Sequence, residues 1–168
     1  MLAFDASTLI LLAKIDMLDL FVSDFGGKIL IPERVREEVC IPGKEETPLI
    51  MELIKNGKIK VSAVKNKKLV EKLMDDFHID SGESAAIAIA LALQEKASLV
   101  ATDDRNAIRA CKFLKMEFTT AIAILIRACE KKLVDKNEAL AKLQKLWSIA
   151  RYSRPIIDDA RKQIKGGV

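Results

Sequence analysis

A single histidine, His78, is all the imidazole this chain has. It lies on a loop without a paired nucleophile, so a hydrolase triad has nothing to stand on, and a surface or packing role is its expected use. Aromatic residues are scarce as well, at 5%. That excludes a stacking platform and suits a core of packed helices over aliphatic strands. The cysteines, Cys40, Cys111 and Cys129, are odd in number and widely spaced. Neither a disulfide framework nor a zinc cluster follows from them, and a reducing compartment is expected. Glycine-rich phosphate cradles are missing: no GxxxxGK is followed by Ser or Thr, and no GxGxxG follows a strand, which sets nucleotide switches aside. No apolar run approaches the roughly 18 residues of a membrane span, and no basic leader precedes the first apolar stretch. A cytoplasmic protein without membrane association is the resulting expectation.

What is present is aliphatic and charged. With 168 residues, 50% of them apolar, the chain is long enough for one domain with a sizeable core and short for two. A single domain over 1–168 is expected, with a helical extension from about residue 135. The net charge of +4 suits a polyanionic partner, although ordinary soluble surfaces also carry such an excess.

Taken in order, Leu2 to Phe4 is a short apolar strand that ends in Asp5 and leads into the helical run after Ala6-Ser7-Thr8. Strand, acid, helix is the opening grammar of an α/β fold. Lys28 to Ile31, Ile59 to Val64, Ala97 to Ala101 and Met116 to Thr119 read as four further strands, with the alternating Ile59 to Val64 as an outer one. Ser84 to Leu93 is nearly all apolar and reads as a helix buried on most of its surface. After Thr120, a helix N-cap, Ala121 to Lys132, Asn137 to Ala150 and Pro155 to Lys165 give helices without further strands. Right-handed crossovers then predict a three-layer α/β/α fold with a central parallel five-stranded sheet and extra C-terminal helices. Ligands of such sheets bind beyond the carboxyl ends of the strands, where Asp5 and Asp104 fall.

Each acid at that edge has a structural reading beside its chemical one. Asp5 can cap the helix that begins near Ser7. Asp80-x-x-Glu83 fits a capping box, which accounts for Asp80 and leaves Glu83 able both to cap and to bind. Thr102 can be an N-cap with Asp103 and Asp104 in the first turn, yet two adjacent acids closing a buried strand exceed what a cap needs. Glu38 sits near the end of its helix, where the macrodipole disfavours negative charge, so capping does not explain it. Carboxylates at four separated places with no histidine among them are the ligand style of a hard divalent ion, Mg2+ or Mn2+. A receiver domain would share the sheet-edge acids, but its acidic pair belongs near the first strand, which here carries one acid.

Four stretches together resemble the PIN-domain nucleases, in particular a compact prokaryotic branch related to VapC-like toxins. FDAST resembles the family's opening, which makes Asp5 the first metal ligand. IPERVREEV resembles its Pro-x-x-Val-x-x-Glu-Val segment, with Glu38 as the second acid. DSGESAAIAIALA resembles the Gly-Glu helix start that supplies Glu83, and VATDDRNAIRA looks like the Thr-x-Asp strand end, with Asp104 fourth and Asp103 beside it. The resemblance runs from Leu2 to Lys165; Thr119-Thr120 departs from it, since the branch often has glycine before the threonine.

The resemblance implies a metal-dependent endoribonuclease that holds one ion or two through Asp5, Glu38, Glu83 and Asp104. The ion would activate water and stabilise charge on phosphorus, with Asp103 or a metal-held hydroxide taking the proton. RNA is the implied partner, met by Lys14, Lys65, Lys67, Lys68, Arg105 and Arg109, and an antitoxin-like protein is a second. Leu140, Leu143, Leu146 and Trp147 form an apolar stripe that suits either a homodimer or the core. The competing reading is a non-catalytic interaction protein on the same fold, its acids serving as helix caps.

Overall fold

In the computed structural model, which describes residues 1–92 and 98–166, the chain opens with β1 (Leu2–Phe4), α1 (Ala6–Lys14) and α2 (Leu18–Asp24). Next come β2 (Ile29–Pro32), α3 (Glu33–Val39), α4 (Thr47–Lys55) and β3 (Ile59–Ser62), then α5 (Lys67–Phe77) and α6 (Ser81–Ala92). β4 (Leu99–Ala101), α7 (Arg105–Phe113) and β5 (Glu117–Thr119) precede the closing α8 (Ala121–Glu130), α9 (Lys136–Ile149) and α10 (Arg154–Lys165). The expected elements are present with most ends shifted by a residue or two, as short caps and frayed turns commonly shift them, and α6 starts three residues before the expected Ser84. Leu93 and Ala97, the expected end of one helix and start of one strand, lie outside the described residues, as do Gly167 and Val168.

All strand pairings are parallel, and the order is β3-β2-β1-β4-β5. The period of two along each strand divides the core into two layers. Leu2, Phe4, Ile29 and Ile31 face one cluster with α1, α4, α8, α9 and α10, whereas Ala3, Leu30 and Val100 face the other with α5, α6 and α7. This is the expected three-layer α/β/α architecture. Edge strand β3 exposes Lys60 between its inward residues, as its alternating sequence predicts.

α6 is apolar on every side because it is enclosed on every side. Ala85 to Ala90 are all buried, and the helix packs on β1, β2, β4, α3, α5 and α7. Alanines at most of these positions let its backbone approach the sheet closely, which places the helix's acidic start beside the ends of the strands.

The C-terminal helices pack on the first layer through Leu143, Leu146, Ile157 and Ala160. The α9 stripe is therefore spent on the core: Leu143 and Leu146 are buried, and Leu140 and Trp147 pack partly buried against them. Asp135 caps α9 by accepting the Glu138 amide at 2.9 Å. Asp135→Ala is expected to cost about 1 kcal/mol, read as a lower urea midpoint at unchanged slope.

Candidate active site

The strand order reverses between β1 and β4, and the crevice at such a reversal is where open α/β sheets bind ligands. Asp5 closes β1 there, its amide donating to the Ala101 carbonyl at 3.0 Å and so extending the ladder by one residue. Its side chain turns onto the next helix as N-cap of α1: Oδ1 accepts the Thr8 amide at 2.8 Å and Oδ2 the Ser7 hydroxyl at 3.0 Å. The residue is 1% exposed. Burial pushes its carboxyl up from 3.8 to about 6 and the Asp103 charge adds to the rise, against hydrogen bonds from Thr102, Thr8 and Ser7.

At the end of β4 the cap is Asp104, two positions beyond Thr102, the expected cap. The Thr102 amide still pairs with the Thr119 carbonyl at 3.0 Å, so the extended backbone runs on and α7 starts later. Asp104 Oδ1 accepts the Asn106 amide at 2.7 Å and the Ala107 amide at 2.9 Å. Thr102, fully buried, accepts the Asp104 amide at 3.2 Å.

Asp103 is spent differently from both neighbours. Its Oδ2 accepts the Thr8 hydroxyl at 2.8 Å and the Ala121 amide at 3.0 Å, while Oδ1 accepts the Tyr152 hydroxyl. These partners come from α1, the first turn of α8 and the α9–α10 connection. Burial raises its pKa, while the bonds from Tyr152, Ala121 and Thr8 lower it. The Tyr152 phenol is itself driven far up by burial and by the Asp103 charge, so it stays a protonated donor.

The start of α6 is a capping box, as the Asp-x-x-Glu spacing predicts. Asp80 Oδ1 accepts the Gly82 and Glu83 amides at 2.8 and 2.9 Å, and Glu83 Oε2 reaches back to the Asp80 amide at 3.0 Å. Glu83 is pushed up from 4.5 to about 7, by burial first and then by the charges of Asp80, Asp104 and Asp5. Asp5, Glu83, Asp103 and Asp104 are thus electrostatically linked through the Asp5–Asp103, Glu83–Asp104 and Glu83–Asp5 pairs.

Glu38 lies against the start of α6, near Gly82 and the Asp80 charge. One of its oxygens lies 3.3 Å from where a side chain on Gly82 would begin, so a glycine there lets α3 and α6 meet. Burial, then the Asp80 charge, raises its pKa. Capping does not explain Glu38, but an ion pair does, since Arg34 one turn earlier meets it at 3.1 Å. That four-residue spacing is the ordinary helical ion-pair spacing.

A cleft of about 710 Å³ opens over the acids, lined by Glu83, Asp103, Asp104 and Ser7, by the apolar faces of Ile10, Leu11, Ile149 and Tyr152, and by Lys14, Arg105 and Arg151. Of the cations expected to meet RNA, Lys14 and Arg105 line it; Lys65, Lys67, Lys68 and Arg109 are not in its wall. Sequence reasoning missed Arg34, Thr8, Arg151 and Tyr152. Thr8, by its place in the FDAST turn, and Arg34, four residues before Glu38, had local signals, whereas Arg151 and Tyr152 had none. His78 is exposed at the end of α5, where its carbonyl accepts the Asn106 side-chain amide at 3.1 Å.

Among the described residues no group of three or more His, Cys, Asp or Glu side chains is arranged to hold a metal ion. The hydrogen bonds supply the reason: Asp5, Glu83 and Asp104 each commit oxygen to helix amides, and Glu38 is drawn to Arg34. The donor set itself fits a hard divalent cation. It is all carboxylate oxygen, crowded until its charges oppose one another, and Asp5 and Glu83 hold protons more tightly than free acids do.

A parallel sheet whose order reverses at a cluster of carboxylates defines an α/β protein with an acidic cleft at its reversal point. The family comparison agrees, since a family model described as PIN domain matches residues 1–165, and the chain belongs to the PIN-domain family. No curated protein and no solved structure matches it. PIN domains are in general nucleases and typically use divalent metals, so membership in the family supports a hydrolase in general. Among the described residues no helix is long and apolar enough to cross a membrane.

Proposed function

We propose that this protein is a Mg2+- or Mn2+-dependent endoribonuclease that hydrolyses RNA phosphodiester bonds in the cleft above β1 and β4. The observation that carries the reading is the gathering of Asp5, Glu83 and Asp104, from separate elements, at the sheet's reversal point, close enough that the charges of Asp104 and Asp5 both raise the Glu83 pKa. Asp5, Glu83 and Asp104 would hold the ion, with Glu38 adjoining them through the first turn of α6. When bound, such an ion polarises the phosphoryl oxygen and lowers the pKa of water. Lys14, Arg105 and Arg151 line the same cleft and can take the phosphates on either side of the scissile bond, a contact that fixes position and carries little sequence preference. Asp103 receives donors from Thr8, Ala121 and Tyr152. Both arms of the Ala121 amide count among the roughly four acceptor sites of the Asp103 carboxylate. The longer arm, 3.3 Å to Oδ1, is the one an O–H of the attacking water would replace, so that Asp103 would orient that water and accept its proton.

A second reading is favoured by the bonds themselves. Asp5, Asp80 and Asp104 do cap helices, and an interaction protein on this fold would need nothing more of them. Calorimetric titration with Mn2+ separates the two. The nuclease reading expects binding that weakens by at least about tenfold in Glu83→Gln, as loss of supporting groups at metal sites commonly does. A wild type that binds no Mn2+ would leave the capping reading standing alone.

A further inference from the structure

We propose that Tyr152 is a positioning residue of the active site, its phenol fixing the direction in which the Asp103 carboxylate faces the cleft. The proposal rests on the nuclease reading above. Tyr152 is the only tyrosine of the chain, and it lies on the connection between α9 and α10, far in sequence from every acid of the site. Its hydroxyl nonetheless donates to Asp103 Oδ1, and its ring lines the same cleft as Glu83, Asp103 and Asp104.

Three donors hold Asp103, and they divide by what they can control. The Thr8 hydroxyl and the Ala121 amide reach Oδ2 at 2.8 and 3.0 Å, and they anchor that oxygen to α1 and α8. The second arm of the Ala121 amide, to Oδ1, is longer at 3.3 Å. The carboxylate is a rigid plane, so its direction is set by donors on both oxygens together, and on the Oδ1 side Tyr152 is the strong donor. The connection that carries Tyr152 is itself held: the Ala150 amide donates to the Leu146 carbonyl at 2.9 Å and the Ile156 amide to the Ser153 carbonyl at 3.1 Å. Leu143, Leu146, Ile157 and Ala160 pack the flanking helices into the core. The C-terminal helix pair thus delivers one hydroxyl to the Oδ1 side of an acid that α1 and α8 hold mainly through Oδ2.

A merely structural role would make this bond a tether for α9 and α10, and enzyme kinetics separate the two. Tyr152→Phe keeps the ring and its packing but removes the donor. RNA cleavage with Mn2+ is measured at a temperature where circular dichroism shows wild type and variants fully folded, with Asp5→Asn as the control for the site. The expected result is a kcat lower by roughly 10- to 100-fold, the range for groups that orient active-site ligands, at unchanged KM. Leu143→Ala, which loosens α9 without touching the phenol, should lower the Tm and retain kcat. Ring-carbon-labelled tyrosine gives the second readout, independent of activity: with one tyrosine in the chain, its NMR signals are unambiguous, and Asp103→Asn should move them. Wild-type kcat in Tyr152→Phe overturns the proposal and leaves the nuclease reading intact. A raised KM at unchanged kcat makes Tyr152 a wall of the cleft and also overturns it. So does an equal loss of kcat in Leu143→Ala, or a tyrosine signal indifferent to Asp103→Asn. Cleavage that survives in Asp5→Asn refutes the nuclease reading and the proposal with it.

Discussion

Asp5→Asn should lose RNA cleavage while folding at least as well as the wild type. The two outcomes have one cause. Asp5 is 1% exposed, and burial holds its carboxyl at about 6, so at neutral pH the folded chain carries a charge it would rather shed. Asparagine caps helices about as well as aspartate does, and its side-chain oxygen can still accept the Thr8 amide now held at 2.8 Å. The cap survives and the buried charge is gone. What is lost is an anionic oxygen at the reversal point, where charge stabilisation is worth several kcal/mol. At 1.36 kcal/mol per decade of rate, a loss of about 4 kcal/mol is a fall on the order of a thousandfold. Cleavage of single-stranded RNA in Mn2+ and thermal melting by circular dichroism, run on the same two preparations, measure both halves. Equal cleavage by the two proteins would remove Asp5 from the chemistry.

In chelator, the folded protein should become less stable as the pH rises from acid to neutral, against the usual trend for paired carboxylates. An unfolded Asp5 loses its proton near 3.8 and the folded one near 6, so between those values the folded state binds more protons than the unfolded. Stability therefore falls with rising pH across that window. Below 3.8 both states are protonated and the penalty is absent; above about 6 it is fully present. A rise of about two pKa units corresponds to about 3 kcal/mol. Glu83 acts in the same sense between 4.5 and about 7, with a smaller effect because solvent screens a half-exposed group. Asp103 and Glu38, raised by burial as well, add in the same direction. Urea midpoints should thus be lower at about pH 8 than at about pH 5, the slope should flatten in Asp5→Asn, and Mn2+ should restore the midpoint at the higher pH. A midpoint that climbs steadily through this range would show that the acids are not crowded as the geometry implies.

The sequence by itself determined the elements and the places where acids interrupt them. β1 ending in Asp5, the Asp80-x-x-Glu83 start of α6 and the acids after β4 are short-range patterns, governed by the alternation of apolar residues and by the chemistry of helix starts, and they were legible residue by residue. The parallel five-stranded sheet followed from strands alternating with helices, because right-handed crossovers leave little choice. Even the capping geometry of Asp5, Asp80 and Glu83 could be read from spacing, while the shift of the α7 cap from Thr102 to Asp104 could not. It depended on how far β4 and β5 stay paired, through the Thr102 amide and the Thr119 carbonyl. Tertiary structure alone decided what surrounds the acids. Thr8 meets Asp103 across 95 residues and Tyr152 meets it across 49, distances over which periodicity carries no information. Arg34 lies four residues from Glu38, yet choosing it as the partner required knowing which face of α3 turns toward α6. The physical reason is common to these cases. Local sequence sets which side chains an element can present, but which presentations meet depends on the order β3-β2-β1-β4-β5 and on the packing of α9 and α10, and both are settled by burial of the whole core.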